Sequence, residues 1–262
     1  MTITVVTVTC VLAIELTLWR PTPSQPPRGA MLSALVLLPT ALLLPRLRPQ
    51  FSRPSPRCCA ATATTAADAD AIARTRAWIE KVVVRLRLCP YAAEPYVDDQ
   101  IRYAVSAATD DEALLEDFFL EGALLLDAPP ELATTMLVAP QYAGDIEQFY
   151  ALYEWLTDTL EMDDEDLLNN GIQPAFFHPD WNFQGLDEDD PIHFEKRAPH
   201  PTINLLRRSA IEAVNERGLA KGILVSKEIS EHNAARLADE GWGALQAAFA
   251  QLAHVRDEPG GG

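Results

Sequence analysis

The chain has 262 residues and 48% apolar content, enough for a normal core in one domain or two small ones. Lys and Arg number 21 against 38 Asp and Glu, and the net charge of −17 makes duplex nucleic acid and anionic membrane surfaces poor partners for the body. Four cysteines are too few for a disulfide scaffold.

Charge is uneven along the chain. Residues 1–67 hold six arginines (Arg20, Arg28, Arg46, Arg48, Arg53 and Arg57), no lysine and one acid, Glu15, a balance of +5 that leaves −22 for residues 68–262. An acid-poor, Arg-bearing, Pro- and Ala-rich leader reads as a disordered, cleavable targeting segment. Its two apolar runs, Ile3 to Trp19 and Met31 to Leu44, fall short of the roughly 20 apolar residues of a membrane span. A signal-like run followed by a transit-like run suits import into a plastid, with Arg57-Cys58-Cys59-Ala60-Ala61 as the processing site. A mitochondrial presequence and a retained anchor at Ile3 to Trp19 are the alternatives. Once the leader is removed no stable membrane span is expected, and Cys89 is the only cysteine left in the body, as suits a reducing compartment.

The body, 68–258, reads as a single domain, with 259–262 a disordered tail. Ile72, Ile79, Val82, Val83 and Leu86 are spaced as a helix over 72–88, ended by Pro90. Ile101 to Ser106 is a strand. Thr109 with Glu112 reads as a capping box opening a helix through Leu114, Phe118 and Leu125, which Pro129-Pro130 ends. Thr134 to Ala139 is a second strand, and Asp145 with Gln148 opens a helix to Leu160. Asp163 to Asp166 and Asn169-Asn170-Gly171 form a turn that lacks the ligand spacing of a calcium loop. Ile172 to Phe177 is a third strand, in which Pro174 implies an edge, a bulge or a shortened strand. A long loop spans 181–200, Thr202 caps a helix to Arg217, and 228–256 forms one or two more helices. Strands alternating with helices predict an α/β fold, a small sheet of three or four strands layered with helices.

Three segments carry the chemistry. Leu88-Cys89-Pro90-Tyr91-Ala92 places a thiol at a helix end, as nucleophile or as packing, although a helix C-terminus repels a thiolate. Phe176-Phe177-His178-Pro179-Asp180-Trp181-Asn182-Phe183 leaves a strand end, where α/β sheets bind ligands. There His178 and Asp180 read as a general-base pair, as two metal ligands, or as groups that tie down their own loop. Glu195-Lys196-Arg197-Ala198-Pro199-His200-Pro201-Thr202 ends an interval, 103–195, that contains no Lys or Arg. With a helix N-terminus expected at Thr202, Arg197 and the free amides would hold an anion. The acidic interval itself reads as a solvated surface, a cation site or a dock for a basic protein partner.

Taken together and in order, these segments resemble the DUF1415 family, a bacterial and plastid domain of unknown function. Its pattern has Leu-Cys-Pro-Phe-Ala after the first helix, then Phe-His-Pro-x-Tyr-x-Phe, then Asn-Arg-Ser-Pro-aromatic-Pro-Thr-x-His-x-x-Arg. The resemblance covers about residues 74–255 and marks Cys89, Pro90, His178, Pro179, Arg197, Pro199, Pro201, Thr202 and Arg207. The chain departs from it at Tyr91, Trp181, Ala198, His200 and Asn204. Asn204 stands where the pattern has its second His, and His200 is the nearby residue able to compensate. The family name implies no reaction.

Two readings follow. In one, the protein is an enzyme for a small anionic metabolite, with His178, Asp180 and Cys89 as catalytic candidates and Arg197, His200, Thr202, Asn204 and Arg207 as binding candidates. In the other it is a non-catalytic binding or assembly module that uses the acidic face. No cofactor or metal is implied: the sequence has no P-loop, no dinucleotide-binding glycine motif, no His-Glu-x-x-His, no Cys-x-x-Cys and no Gly-x-Ser-x-Gly.

Overall fold

In the computed structural model, which describes residues 65–162 and 171–255, the first element is α1 (Ala66–Trp78). Thr65 and Asp68 cap it reciprocally: the Thr65 hydroxyl accepts from the Asp68 amide at 3.1 Å and the Asp68 carboxylate from the Thr65 amide at 2.9 Å. Residues 65–67, the last of the expected leader, therefore belong to this helix and its cap. The rest of the leader, Asp163–Asp166, Asn169-Asn170 and the tail 259–262 lie outside the described residues. A π-helical stretch, Ile79–Val84, prolongs α1. It stops before Pro90: Leu88 donates to the Val83 carbonyl and Arg87 to that of Val84, with Arg87 left-handed at φ 57°. That is the usual closing turn of a helix, with Leu88 packed back into the core.

The remaining elements are α2 (Ala93–Val97), β1 (Ile101–Val105), α3 (Asp111–Asp127), β2 (Thr134–Val138), α4 (Ile146–Met162), β3 (Ile172–Phe177), a 3-10 turn (Pro191–Glu195), β4 (Thr202–Arg207), α5 (Arg208–Leu219), α6 (Val225–Glu240) and α7 (Trp242–Leu252). The four strands form one mixed sheet in the order β1-β2-β4-β3. β1 and β2 are parallel, as a strand pair joined through a crossover helix must be, and β4 runs antiparallel to both β2 and β3. β3 is an edge strand, which is where Pro174 can sit without breaking a ladder on both sides. Among the described residues no helix is long and apolar enough to cross a membrane.

Every residue of β2 is buried, because helices cover both faces of the sheet. Alternation assigns the faces. Arg102 pairs with Glu121 of α3 at 2.7 Å, Ser106 with Asp117 of α3, and Phe176 packs on Phe149 and Tyr153 of α4. On the other face Arg76 of α1 lies 4.4 Å from the Tyr103 ring centre, and Trp78 meets Phe177 edge-on at 5.1 Å. The core fills both layers, with Val82, Leu86 and Leu245 on the helices and Ile203 and Leu205 on β4.

Three expectations are corrected. Asp110, not Thr109, caps α3, its carboxylate accepting from the Ala113 amide at 3.0 Å. Thr202 opens a strand, not a helix: its hydroxyl donates to the His200 carbonyl at 2.8 Å instead of accepting from an amide of a first helical turn. Ile203 and Leu205 then point into the core at period two, and the helix starts only at Arg208. Arg207 consequently lies at the far end of β4 from Thr202, about 17 Å away at the rise of a strand. There it donates to the carbonyls of Ala128 (2.9 Å), Leu132 (3.1 Å) and Pro129 (3.3 Å), at and just after the C-terminus of α3. A cation is favoured where a helix leaves unbonded carbonyls and the negative end of its dipole.

Arg207 is thus a clamp within the fold. Arg207→Ala is expected to cost about 2 kcal/mol, the scale of hydrogen bonds to a charged group, and to lower the melting temperature by roughly 4–8 °C. Thermal unfolding checks it, with Arg207→Lys recovering only part of the loss because one ammonium cannot reproduce the fork.

Candidate functional site

The strands bring three chain segments to one edge of the sheet. Val105, Val138, Thr202 and Phe177 are successive partners across all four strands. Just beyond this row come Ser106, Ala139, Pro201 and His178, with the Ala139 amide donating to the Pro201 carbonyl at 2.9 Å. β1, β2 and β3 end here and β4 begins here, so residues 178–181 and 196–202 meet.

His178 is 5% exposed and its ring lies 5.3 Å from that of Phe149. Its backbone amide donates to the Lys196 carbonyl at 3.1 Å, and its carbonyl accepts from the Trp181 amide at 3.2 Å. Nδ1 accepts from the backbone amide of Asp180 at 3.1 Å. Asp180 therefore orients the ring through its main chain, and in the neutral imidazole the proton sits on Nε2. Nε2 has no hydrogen-bond partner among the described residues. Burial pushes the pKa of His178 below its usual value, opposed by the charges of Asp180 and Asp145.

Arg197 sits on the other segment of this junction, between the 3-10 turn and β4. Its Nε donates to the Trp181 carbonyl at 2.9 Å, and its guanidinium carbon lies 4.9 Å from the Phe194 ring centre and 5.0 Å from that of Trp242. Among the described residues no carboxylate is within ion-pair distance of it; Asp180 acts on it only through the field. Burial lowers its pKa and Asp180 opposes that shift. The guanidinium is held by aromatic faces and a carbonyl, a fixed planar cation. His178 and Arg197 are therefore both tied to the turn 178–181, His178 as its first residue with its ring on Phe149 and Arg197 through the Trp181 carbonyl with its guanidinium on Phe194 and Trp242.

Two residues at this edge escaped the sequence analysis. Lys196 is 2% exposed, with Nζ 5.6 Å from the Phe177 ring centre and 5.4 Å from that of Trp181. Its place between Glu195 and Arg197 gives no sign of burial, which comes from rings 15 to 19 residues upstream. His193 is fully buried: Nδ1 accepts from the Phe183 amide at 3.1 Å and Nε2 donates to the Asp187 carbonyl at 2.8 Å. It, and not His178, is the histidine with both nitrogens spent on holding the 181–193 loop. The α3–α4 side of the edge is acidic: Tyr142 donates to Asp111, Gln148 donates to the same carboxylate at 3.2 Å, and Asp145 accepts from the Gln148 amide. No group of three or more His, Cys, Asp or Glu side chains is placed to hold a metal ion among the described residues.

The other candidates separate. Cys89 follows the closing turn of α1; its burial raises the thiol's pKa, which the nearby Tyr91 amide only partly offsets, so the nucleophilic thiolate is disfavoured. No contact joins it to His178 or Arg197 among the described residues. Thr202 lies at the edge but as the first residue of β4, so the free helical amides expected there are absent from it. Asn204 is in mid-strand, accepting from the Thr134 hydroxyl. Arg207 clamps α3 at the opposite edge. His200 stays at the edge, half-buried, with Nε2 buried and unpartnered.

Over residues 70–247 the chain matches the family described as "Protein of unknown function (DUF1415)", and it belongs to that family. No curated protein and no solved structure matches it.

The depressed pKa of His178 sets a pH dependence. The unfolded chain takes up a proton near pH 6.5 and the folded protein only below that, so stability is fully present above about pH 6.5 and is lost as pH falls through the folded value. His178→Asn keeps an acceptor for the Asp180 amide but cannot titrate. Melting temperatures measured from pH 7.5 to 5 are expected to fall less steeply in His178→Asn than in the unmodified chain.

Proposed function

We propose that this member of a family without an assigned reaction is an enzyme for a small anionic metabolite bound at the C-terminal edge of its sheet. The observation that carries the reading is the shared turn 178–181, which orients a buried imidazole and accepts from a guanidinium that packs beside the rings of Phe194 and Trp242. Arg197 would take a carboxylate or phosphate oxygen. His178 would direct Nε2–H at an oxygen gaining charge, a donor role that its tautomer and lowered proton affinity favour. Acting instead as a base at Nε2, it would need its proton on Nδ1, facing the Asp180 amide proton. Cys89 is left as a packing residue in this scheme.

A thermal-shift panel of phosphate esters, nucleotides and short carboxylic acids on the full chain tests the proposal. A ligand at 100 times its dissociation constant adds about 2.7 kcal/mol, several degrees for a protein of this size. The expected result is a shift that Arg197→Ala abolishes and His178→Asn weakens. Silence across the panel in a folded protein would overturn the enzyme reading and favour a partner-binding module that uses the acidic face.

We further propose that residues 1–67 direct import into a plastid, from the Arg-bearing, acid-poor composition of that segment. Residues 1–67 fused to a fluorescent reporter are expected to deliver it to plastids in a plastid-bearing cell and to be removed on arrival. Delivery to mitochondria would establish the rival destination.

A further inference from the structure

We propose that the layer between α1 and the start of β4 holds a second anion site, for a small carboxylate, with Arg74, Trp78 and His200 as its donors. Arg74 and Trp78 are four residues apart on α1 and so share one face of it. Trp78 is 2% exposed and packs edge-on against Phe177, whose partner on β4 is Thr202. Thr202 in turn bonds the His200 carbonyl, so His200 adjoins the same end of β4. Both the indole Nε1 of Trp78 and the Nε2 of His200 are buried without a hydrogen-bond partner. Buried polar groups in folded proteins are nearly always bonded, and leaving one unpaired costs about 1–3 kcal/mol. Two such groups beside one helix face point to a shared acceptor.

The acceptor's charge follows from the surroundings. Burial, and then the charge of Arg74, push the pKa of His200 down and favour the neutral imidazole, whose one N–H would sit at Nε2 when an acceptor is bound there. Arg74 spends its Nε on the Val255 carbonyl at 3.3 Å and enters no ion pair among the described residues. An indole N–H, an imidazole N–H and a guanidinium are all donors, and a carboxylate supplies acceptors alone. This site is separate from that of Arg197. Arg197 stacks on Trp242, the first residue of α7, whereas Arg74 is bound to Val255 beyond its last, and α7 with its 11 residues is about 16 Å long.

Titration of the full chain, labelled with 15N at its indole and imidazole nitrogens, with acetate, malonate and inorganic phosphate tests the proposal by NMR. The Trp78 indole N–H signal, assigned with Trp78→Phe, is expected to shift saturably with acetate or malonate. Arg74→Gln should raise the midpoint at least tenfold, and Arg197→Ala should leave it in place. If Trp78→Phe does not fold, the Nε2 signal of His200, assigned with His200→Gln, reads the same binding. An indole signal that none of the three anions moves would overturn the site and leave the N–H as an edge contact to Phe177. A response to phosphate alone would overturn the carboxylate assignment, and a shift unchanged in Arg74→Gln, or lost in Arg197→Ala, would overturn the separate site.

Discussion

Backbone pairing on both sides of β4 is the constraint on which the rest depends. β4 lies between β2 and β3 and runs against both, so its first residue meets the last residues of the other strands. A helix in its place, as a local reading of Thr202 suggests, would leave β3 without a ladder partner and β2 paired only with β1, and would put residues 196–201 elsewhere. With the strand in place, the Lys196 carbonyl reaches the His178 amide, the Pro201 carbonyl reaches Ala139, and Arg197 reaches Trp181. The same pairing sends Arg207 to the opposite edge, where it serves α3. One ladder thus decides which of the basic residues after position 195 belong to the site and which belong to the scaffold.

The second organising feature is how the chain keeps positive charge inside an acidic molecule. No Lys or Arg occurs over 103–195, and the next two residues, Lys196 and Arg197, are packed against the rings of Phe177, Trp181, Phe194 and Trp242. Withdrawing cations from water is costly, and ring faces return about 0.5–2 kcal/mol per contact. Those rings come from β3, the turn after it, the 3-10 turn and α7, so each cation also draws several elements together. A guanidinium fixed in this way keeps its plane, and its position does not depend on a neighbouring carboxylate that an incoming anion would have to displace.

Elements whose signals are local were legible in the sequence. The alternation of Ile101–Val105, the buried run Thr134–Val138, the Asp145–Gln148 cap and the edge position of Pro174 all rest on residues within one or two turns of each other. The His178 and Arg197 segments stood out in the sequence because their residue types are unusual together. What was not legible depends on partners far along the chain. Thr202 carries the residue type of a helix cap, and only its pairing with Val138 and Phe177 makes it a strand residue. Arg207 bonds carbonyls 75 to 79 positions away. Lys196 and Trp78 look like a surface charge and a core ring until Phe177 is placed against both.

Burial alone does not separate the two histidines at this edge. His193 and His178 are both withdrawn from water and both accept a backbone amide at Nδ1. They differ in one valence. The Nε2 of His193 is consumed by the Asp187 carbonyl, so its ring can only hold the loop. The Nε2 of His178 has no such acceptor among the described residues, although the fold has already met the cost of orienting the ring and keeping it neutral. A structural histidine reaches its lowest energy when both nitrogens are bonded within the protein. His178, held in a fixed tautomer, keeps a donor that the described residues do not use, and this is the difference between the two rings on which the proposed role of His178 rests.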